Sequence, residues 1–350
     1  MMAIDGARGD YTPLRQMLYD HIDQLDLALD QLALKDRNFD RFAIMLVDNV
    51  VELTLHRHAQ EQKAYVNMWN ATGKPPVNPR VLASALEQKF DAKVSLALQT
   101  GLLTKPMSQS INWLHSFRNS SYHAGLRHEG ILHSLANFYL RTCCDLLARY
   151  RPTSWSSGGE KMSHRVAKYL GESESSWSPW TKDNAFDHAW GRLKIVASGM
   201  RCNLIDDLYR DMESVIDSVD GQIAFYVDNA PMTKCHTRDA AIIEAQIWPL
   251  AFSDKGVQYA QQNGCKGPVR IGPRLAEWLR GNYRPPVASD PVPKWRDRLQ
   301  SLRQEQDEHR ALEKYCNFLK QTLSIRGEVL RQNDSLWQHI EEISDRARER

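Results

Sequence analysis

The segment Leu114-His115-Ser116-Phe117-Arg118-Asn119-Ser120-Ser121-Tyr122-His123-Ala124-Gly125 joins an apolar helical pattern, carried by Ile111, Leu114 and Phe117, to a cluster of side chains able to do chemistry. Arg118 and His123 stand five positions apart. On a continuous α-helix they would be turned about 140° from each other and could not face one target. The run Asn119-Ser120-Ser121 predicts a break between them, because short polar side chains compete for backbone hydrogen bonds and favour helix ends. Arg118 then ends one helix and His123 opens the next, both turned into a shared cleft.

Outward from this segment the first 150 residues read as helices with short breaks. Thr12-Pro13 is a cap and first-turn pair, followed at helical spacing by Leu14, Leu18, Ile22, Leu25, Leu29 and Leu32. A second helix after Asn38 carries Phe42, Met45, Leu46, Asn49, Val50, Leu53 and His56 on its expected inner stripe. Its apolar density predicts a central position. Residues 72–79, with Gly73 and three prolines, interrupt the pattern before a third helix through Leu82, Leu86, Phe90 and Leu96. A further helix follows the segment through Ile131, Leu135, Phe138, Thr142 and Leu146.

Residues 152–159, rich in Ser and Gly, mark the first expected boundary. Beyond them the pattern predicts one long helix over 184–218, a short strand over 222–227, helix over 236–264 broken at Pro249, and a short helix over 274–280 closed by Gly281. Residues 284–293 hold four prolines and read as a stiff linker. From Trp295 onward there is no proline, and Leu299, Leu302, Leu312, Leu319, Leu330 and Ile340 recur among charges. The expected architecture is therefore mainly α, a helical bundle over 1–150, a helical region over 160–283, and a long helix or helical hairpin over 294–350.

Composition fits a folded protein. The 350 residues are 42% hydrophobic and 25% charged, which argues against wholesale disorder. A formal net charge of +2 excludes a general polycation, so polyanion binding requires a local patch. Six cysteines without CxxC spacing are too sparse for a disulfide scaffold and point to a reducing compartment. The start MMAIDGARGD has no apolar leader, and no stretch is long enough to span a bilayer, so the expected location is cytoplasmic, without membrane contact. There is no GxxxxGK[ST] or GxGxxG motif for phosphate binding.

The local patch is visible. Between Asp91 and Glu129 no Asp or Glu occurs, while Lys93, Lys105, Arg118 and Arg127 are present with His115, His123 and His128. Average acid content would place about four carboxylates there. Tyr122 and Trp113 add rings on which a base can stack.

With its flanking helices the segment resembles the HEPN superfamily, all-α domains whose ribonuclease members carry Arg, four to six residues and then His, commonly with a polar residue after the Arg. Arg118, Asn119 and His123 match that pattern, and the resemblance covers about residues 10 to 150. Arg15 to His21, Arg127 to His133 and Arg303 to His309 satisfy the same spacing, but they lie in uninterrupted helical pattern. The resemblance implies a metal-independent and cofactor-free endoribonuclease, with Arg118, Asn119 and His123 as catalytic residues. His123 titrates near neutrality and would move the proton of a ribose 2′-hydroxyl or of the leaving 5′-oxygen. Arg118 would stabilise charge growing on the phosphate. Tyr122 and Glu52 are supporting candidates, and Lys105, Arg127 and His128 are candidate RNA contacts.

One motif offers one histidine where acid and base want two groups. In the family this is commonly met by dimerisation, so the expected partners are RNA, a second copy or higher assembly through helical surfaces, and an inhibitor or activator protein. His115 and His128 are the internal substitutes. The implied role is a toxin or effector in bacterial antiviral defence. The alternative is a non-catalytic HEPN-like module that binds nucleotide or protein within a larger complex. A third is an unrelated helical scaffold. A metal site from His56 and His58 is disfavoured, because positions i and i+2 of a helix do not converge.

Overall fold

A computed structural model describes residues 13–69, 77–87, 89–123, 129–153, 161–170, 184–229, 237–266 and 269–348, with the backbone alone at 68, 69, 120–123 and 129. Among these residues the chain forms fourteen α-helices and no strand. It divides into two compact units, residues 1–207 with 307–313 and residues 208–306 with 314–350.

The first unit is built around α2 (Arg37–Trp69), against which α1 (Leu14–Ala33), α3 (Pro79–Leu86), α4 (Phe90–Gln99), α5 (Lys105–His123) and α6 (Leu132–Arg149) all pack. The six apolar positions of α1 named from spacing are all buried, as are Ile131, Leu135, Phe138, Thr142 and Leu146 in and beside α6. The single helix expected from Leu82 to Leu96 is two. Asn78 caps α3 by accepting from the Arg80 N–H, Pro79 fits its first turn, and Glu87 leaves it in an extended conformation before α4 begins. Gly101, at φ +77°, then reverses the chain, a left-handed conformation that a side chain would oppose. This reversal lets α5 return along α4.

The buried face of α2 differs from the expected stripe by about one residue, or 100° of rotation. Ala43, Ile44, Val47, Val51 and Leu55 are buried, whereas Phe42 is 54% exposed and Asn49 and Leu53 also face outward. The reason is polar anchoring. The inner face includes Asp48, Thr54 and His58, each held by a partner inside the unit: Thr54 Oγ1 lies 3.2 Å from His21 Nε2 and His58 Nε2 lies 2.8 Å from Thr100 Oγ1.

Two further helices, α7 (His164–Leu170) and α8 (Ala185–Gly199), close this unit by packing on α1 and on each other, and α8 also packs on α6. Buried Asp26 of α1 accepts from Arg165 at 2.7 Å, Lys168 at 2.8 Å and Tyr169 at 2.5 Å. Burial alone would raise the Asp26 pKa, but these hydrogen bonds hold it below the usual carboxylate range. The described residues 161–170 and 184–207 therefore belong with the first helices, and the division falls inside α9 (Leu204–Asn229). The Ser/Gly-rich residues 154–160 lie outside the described residues.

In the second unit α9 is continuous through 222–227, where a strand was expected, and residues 200–203 separate it from α8. Pro249 lies within α10 (Arg238–Ala251). The chain breaks at residues 252–253, where the Ser253 side chain caps α11 (Asp254–Gln262) by accepting from the Gly256 N–H. Helix α12 (Pro273–Asn282) packs on both, burying Ile247, Ala251, Ala260, Leu275, Ala276 and Leu279. After the proline-rich residues 284–291, α13 (Val292–Arg303) and the long α14 (Glu308–Arg348) form a hairpin, one of the two arrangements expected, with Trp295 against Phe318 edge to face at 5.7 Å. Five cysteines are described, all free thiols: Cys143, Cys144 and Cys316 are buried, and Cys202 and Cys265 partly so. Burial pushes the thiols of the three buried ones well above the ordinary cysteine range.

Candidate functional site

Helix α5 carries the candidate motif, and it is unbroken. The expected end at Asn119–Ser121 does not form, and the helix runs on to His123. The Cα positions of Arg118 and His123 are accordingly turned by about 140° around one axis, with about 7.5 Å of rise between them. The side chains of Tyr122 and His123, and all of Arg127 and His128, lie outside the described residues.

What the structure does bring to Arg118 is Asp48 and His115. Arg118 and His115 are three positions apart on α5 and so share a face. Asp48, 1% exposed on the inner face of α2, stands opposite them. Its Oδ1 accepts from the Tyr139 hydroxyl at 2.7 Å and lies 3.0 Å from His115 Nδ1. Its Oδ2 lies 3.1 Å from the same nitrogen and 3.5 Å from Arg118 Nε. A carboxylate only accepts, so Nδ1 of a neutral His115 carries the proton and Nε2 is the basic nitrogen. The His115 ring also stacks on Phe90, with centroids 3.7 Å apart and planes within 5°. Its orientation is thus fixed from two sides.

Arg118 is 36% exposed. One of its terminal nitrogens, Nη1, donates to Asn119 Oδ1 at 2.9 Å, which turns the amide of Asn119 toward the guanidinium. The buried Tyr139 phenol is pushed far above its usual pKa by desolvation and by the Asp48 charge, so it remains a donor at all ordinary pH. Asp48 and Tyr139 are the site residues that the apolar pattern of α2 and α6 conceals. Their signal was a carboxylate set inside the run Leu46-Val47-Asp48-Asn49-Val50-Val51.

The acid-free segment is not acid-free in space. Lys93, buried on α4, pairs with Glu52 Oε1 at 2.8 Å, and Asp48 faces His115 and Arg118. Helix α2 supplies the counter-charges that the segment lacks. Glu52 is thereby placed on Lys93, one turn along α2 from Asp48. Lys105 is exposed at the start of α5, about 20 Å of helix axis from Arg118, and the two do not converge.

The uninterrupted helix expected around Arg303 is not found: α13 ends at Arg303 and α14 begins at Glu308, so Arg303 and His309 lie on either side of a break. The other histidines with the same Arg spacing have partners of their own. His21 lies on Thr54, His133 Nδ1 is 2.8 Å from Asp40 Oδ1, and His309 Nδ1 is 2.8 Å from Ser110 Oγ. His56 meets Gln60 while His58 meets Thr100, so the two diverge. No helix among the described residues is long and apolar enough to cross a membrane. No protein-family model matches the chain, and no curated protein or solved structure does so at a significant level.

Proposed function

We propose that the chain is a cytoplasmic, metal-independent endoribonuclease of the HEPN type, acting as a toxin or effector in bacterial antiviral defence. The observation supporting this reading is that one buried carboxylate, Asp48, meets both a histidine with a basic outer nitrogen and a partly exposed arginine on one face of α5.

In this mechanism Arg118 holds the scissile phosphate through its outer nitrogens, with Asn119 and Asp48 fixing its plane. His115 Nε2 takes the proton of the 2′-hydroxyl. The 2′-oxygen bonds to phosphorus, the bond to the 5′-oxygen breaks, and a second group returns a proton to that oxygen. The products are a 2′,3′-cyclic phosphate and a 5′-hydroxyl. His123 is the second group, brought to the phosphate from a second copy in a homodimer. Tyr122 stacks a base, and Arg127 and His128 hold the RNA backbone.

The second reading, a non-catalytic HEPN-like module that binds nucleotide or protein, is favoured by the unbroken α5 and by the pairing of Arg118 with Asp48. The two separate on incubation of the purified full chain with labelled RNA in EDTA. Cleavage that leaves cyclic phosphate ends, and that is lost in Arg118→Ala, His115→Ala and His123→Ala, is expected of the enzyme. Intact RNA together with no growth inhibition on expression selects the binding module.

A further inference from the structure

The second unit contains a cleft of about 350 Å³ that takes no part in the proposed chemistry. Its volume lies at the lower end of small-molecule sites. Three elements form it: the last turn of α10, the proline-rich residues after α12, and one face of α14. Pro249 and Leu250 contribute from α10, Tyr283 and Pro286 from the connecting segment, and Ile325 and Glu328 from α14.

The charge of this cleft is one-sided. Glu328 is the one charged side chain among its described lining residues. Its Oε1 is taken by Arg331 at 2.7 Å, an ion pair whose guanidinium is mostly in solvent. Its Oε2 is buried and has no hydrogen-bond partner. A buried carboxylate oxygen without a donor is costly, and a ligand that brings a donor recovers that cost. The C-terminal end of α10, which forms another wall, adds partial negative charge to the cleft. The rest of the lining is neutral: a tyrosine ring, two prolines, three branched aliphatic side chains, two glutamines and two serines.

We propose that this cleft binds a small organic ammonium ion with an apolar body. The ammonium donates to Glu328 Oε2, and the body lies among Pro249, Leu250, Pro286 and Ile325, with the Tyr283 ring as one wall. A neutral ligand of the same shape brings at most an uncharged donor to Oε2, a weaker bond than a charged ammonium makes, and anions are repelled.

The probe is 2-phenylethylamine, titrated calorimetrically into the full chain, with 2-phenylethanol as its neutral counterpart and hexylamine as a second cation. Saturable binding of both amines is expected, with the alcohol at least about tenfold weaker. Glu328→Gln keeps the side-chain shape and should weaken the amines by about tenfold or more while leaving helicity by circular dichroism unchanged. Ser324→Trp, which fills the cleft from α14, should abolish binding. Failure of both amines to bind, equal binding of amine and alcohol, or unchanged binding by Glu328→Gln overturns the proposal.

Discussion

The Lys93 ammonium, buried on α4, lies 2.8 Å from Glu52 Oε1 on α2. The pair is asymmetric, since the lysine is almost wholly out of water and the glutamate is partly in it. Glu52→Gln leaves a buried ammonium without a counter-charge and should cost about 3 kcal/mol, whereas Lys93→Met, apolar and of similar length, should cost less than about 1 kcal/mol. Urea unfolding of the two variants tests this; equal losses would contradict the role given to burial.

Asp48 is the more demanding case, because Tyr139 and His115 hydrogen-bond to it and Arg118 Nε lies 3.5 Å away as an ion pair. Asp48→Ala should destabilise the first unit by about 3–5 kcal/mol by stranding buried donors. Tyr139→Phe should lose about 1 kcal/mol. Arg118→Ala, with its guanidinium partly in water, should change stability by less than about 1 kcal/mol. If Arg118→Ala is as damaging as Asp48→Ala in denaturant titration, Arg118 is a structural residue and its assignment to phosphate falls.

Acid should weaken the first unit well before its carboxylates titrate. Burial lowers His21 to about 3 and His58 to about 4, while both sit near 6.5 in the unfolded chain. Above pH 6.5 both states hold these rings neutral and neither ring contributes. Below it the unfolded chain binds two protons that the native chain refuses, so stability falls as pH falls. Between about pH 6 and pH 4 the two rings should together cost about 2 kcal/mol per pH unit. Chemical denaturation across this range should show the slope, and His21→Leu combined with His58→Gln should flatten it.

Gly256 is a position where a single methyl group should be felt. A Cβ there would lie 2.0 Å from the Leu250 carbonyl oxygen, which the turn between α10 and α11 cannot give up. Gly256→Ala should destabilise the second unit by about 2–3 kcal/mol. Gly221→Ala, on α9 with open space around it, should be neutral or slightly stabilising in the same assay.

Periodicity located most helices because their cores are leucine-rich stripes, as α1 and α6 illustrate. It misplaced the face of α2 because Asp48, Thr54 and His58 are buried by specific partners, and a hydrophobic pattern counts them as outward. It placed a helix end after Arg118 because Asn and Ser favour caps; the surrounding helix proceeds through them. His115 and Arg118 were legible as neighbours from their spacing alone. Their meeting with Asp48 was not, since the contact joins positions far apart in the chain, and only the lack of acids over 92–128 hinted that counter-charge had to arrive from another helix.

The buried thiols give the molecule an internal clock for its own opening. Cys143 and Cys144 sit in the first unit and Cys316 in the second, each protonated and shielded from reagent. A thiol reagent can mark them only during excursions that expose them, so the labelling rate at each site, read by peptide mass, times the unfolding of each unit separately in one unmodified chain.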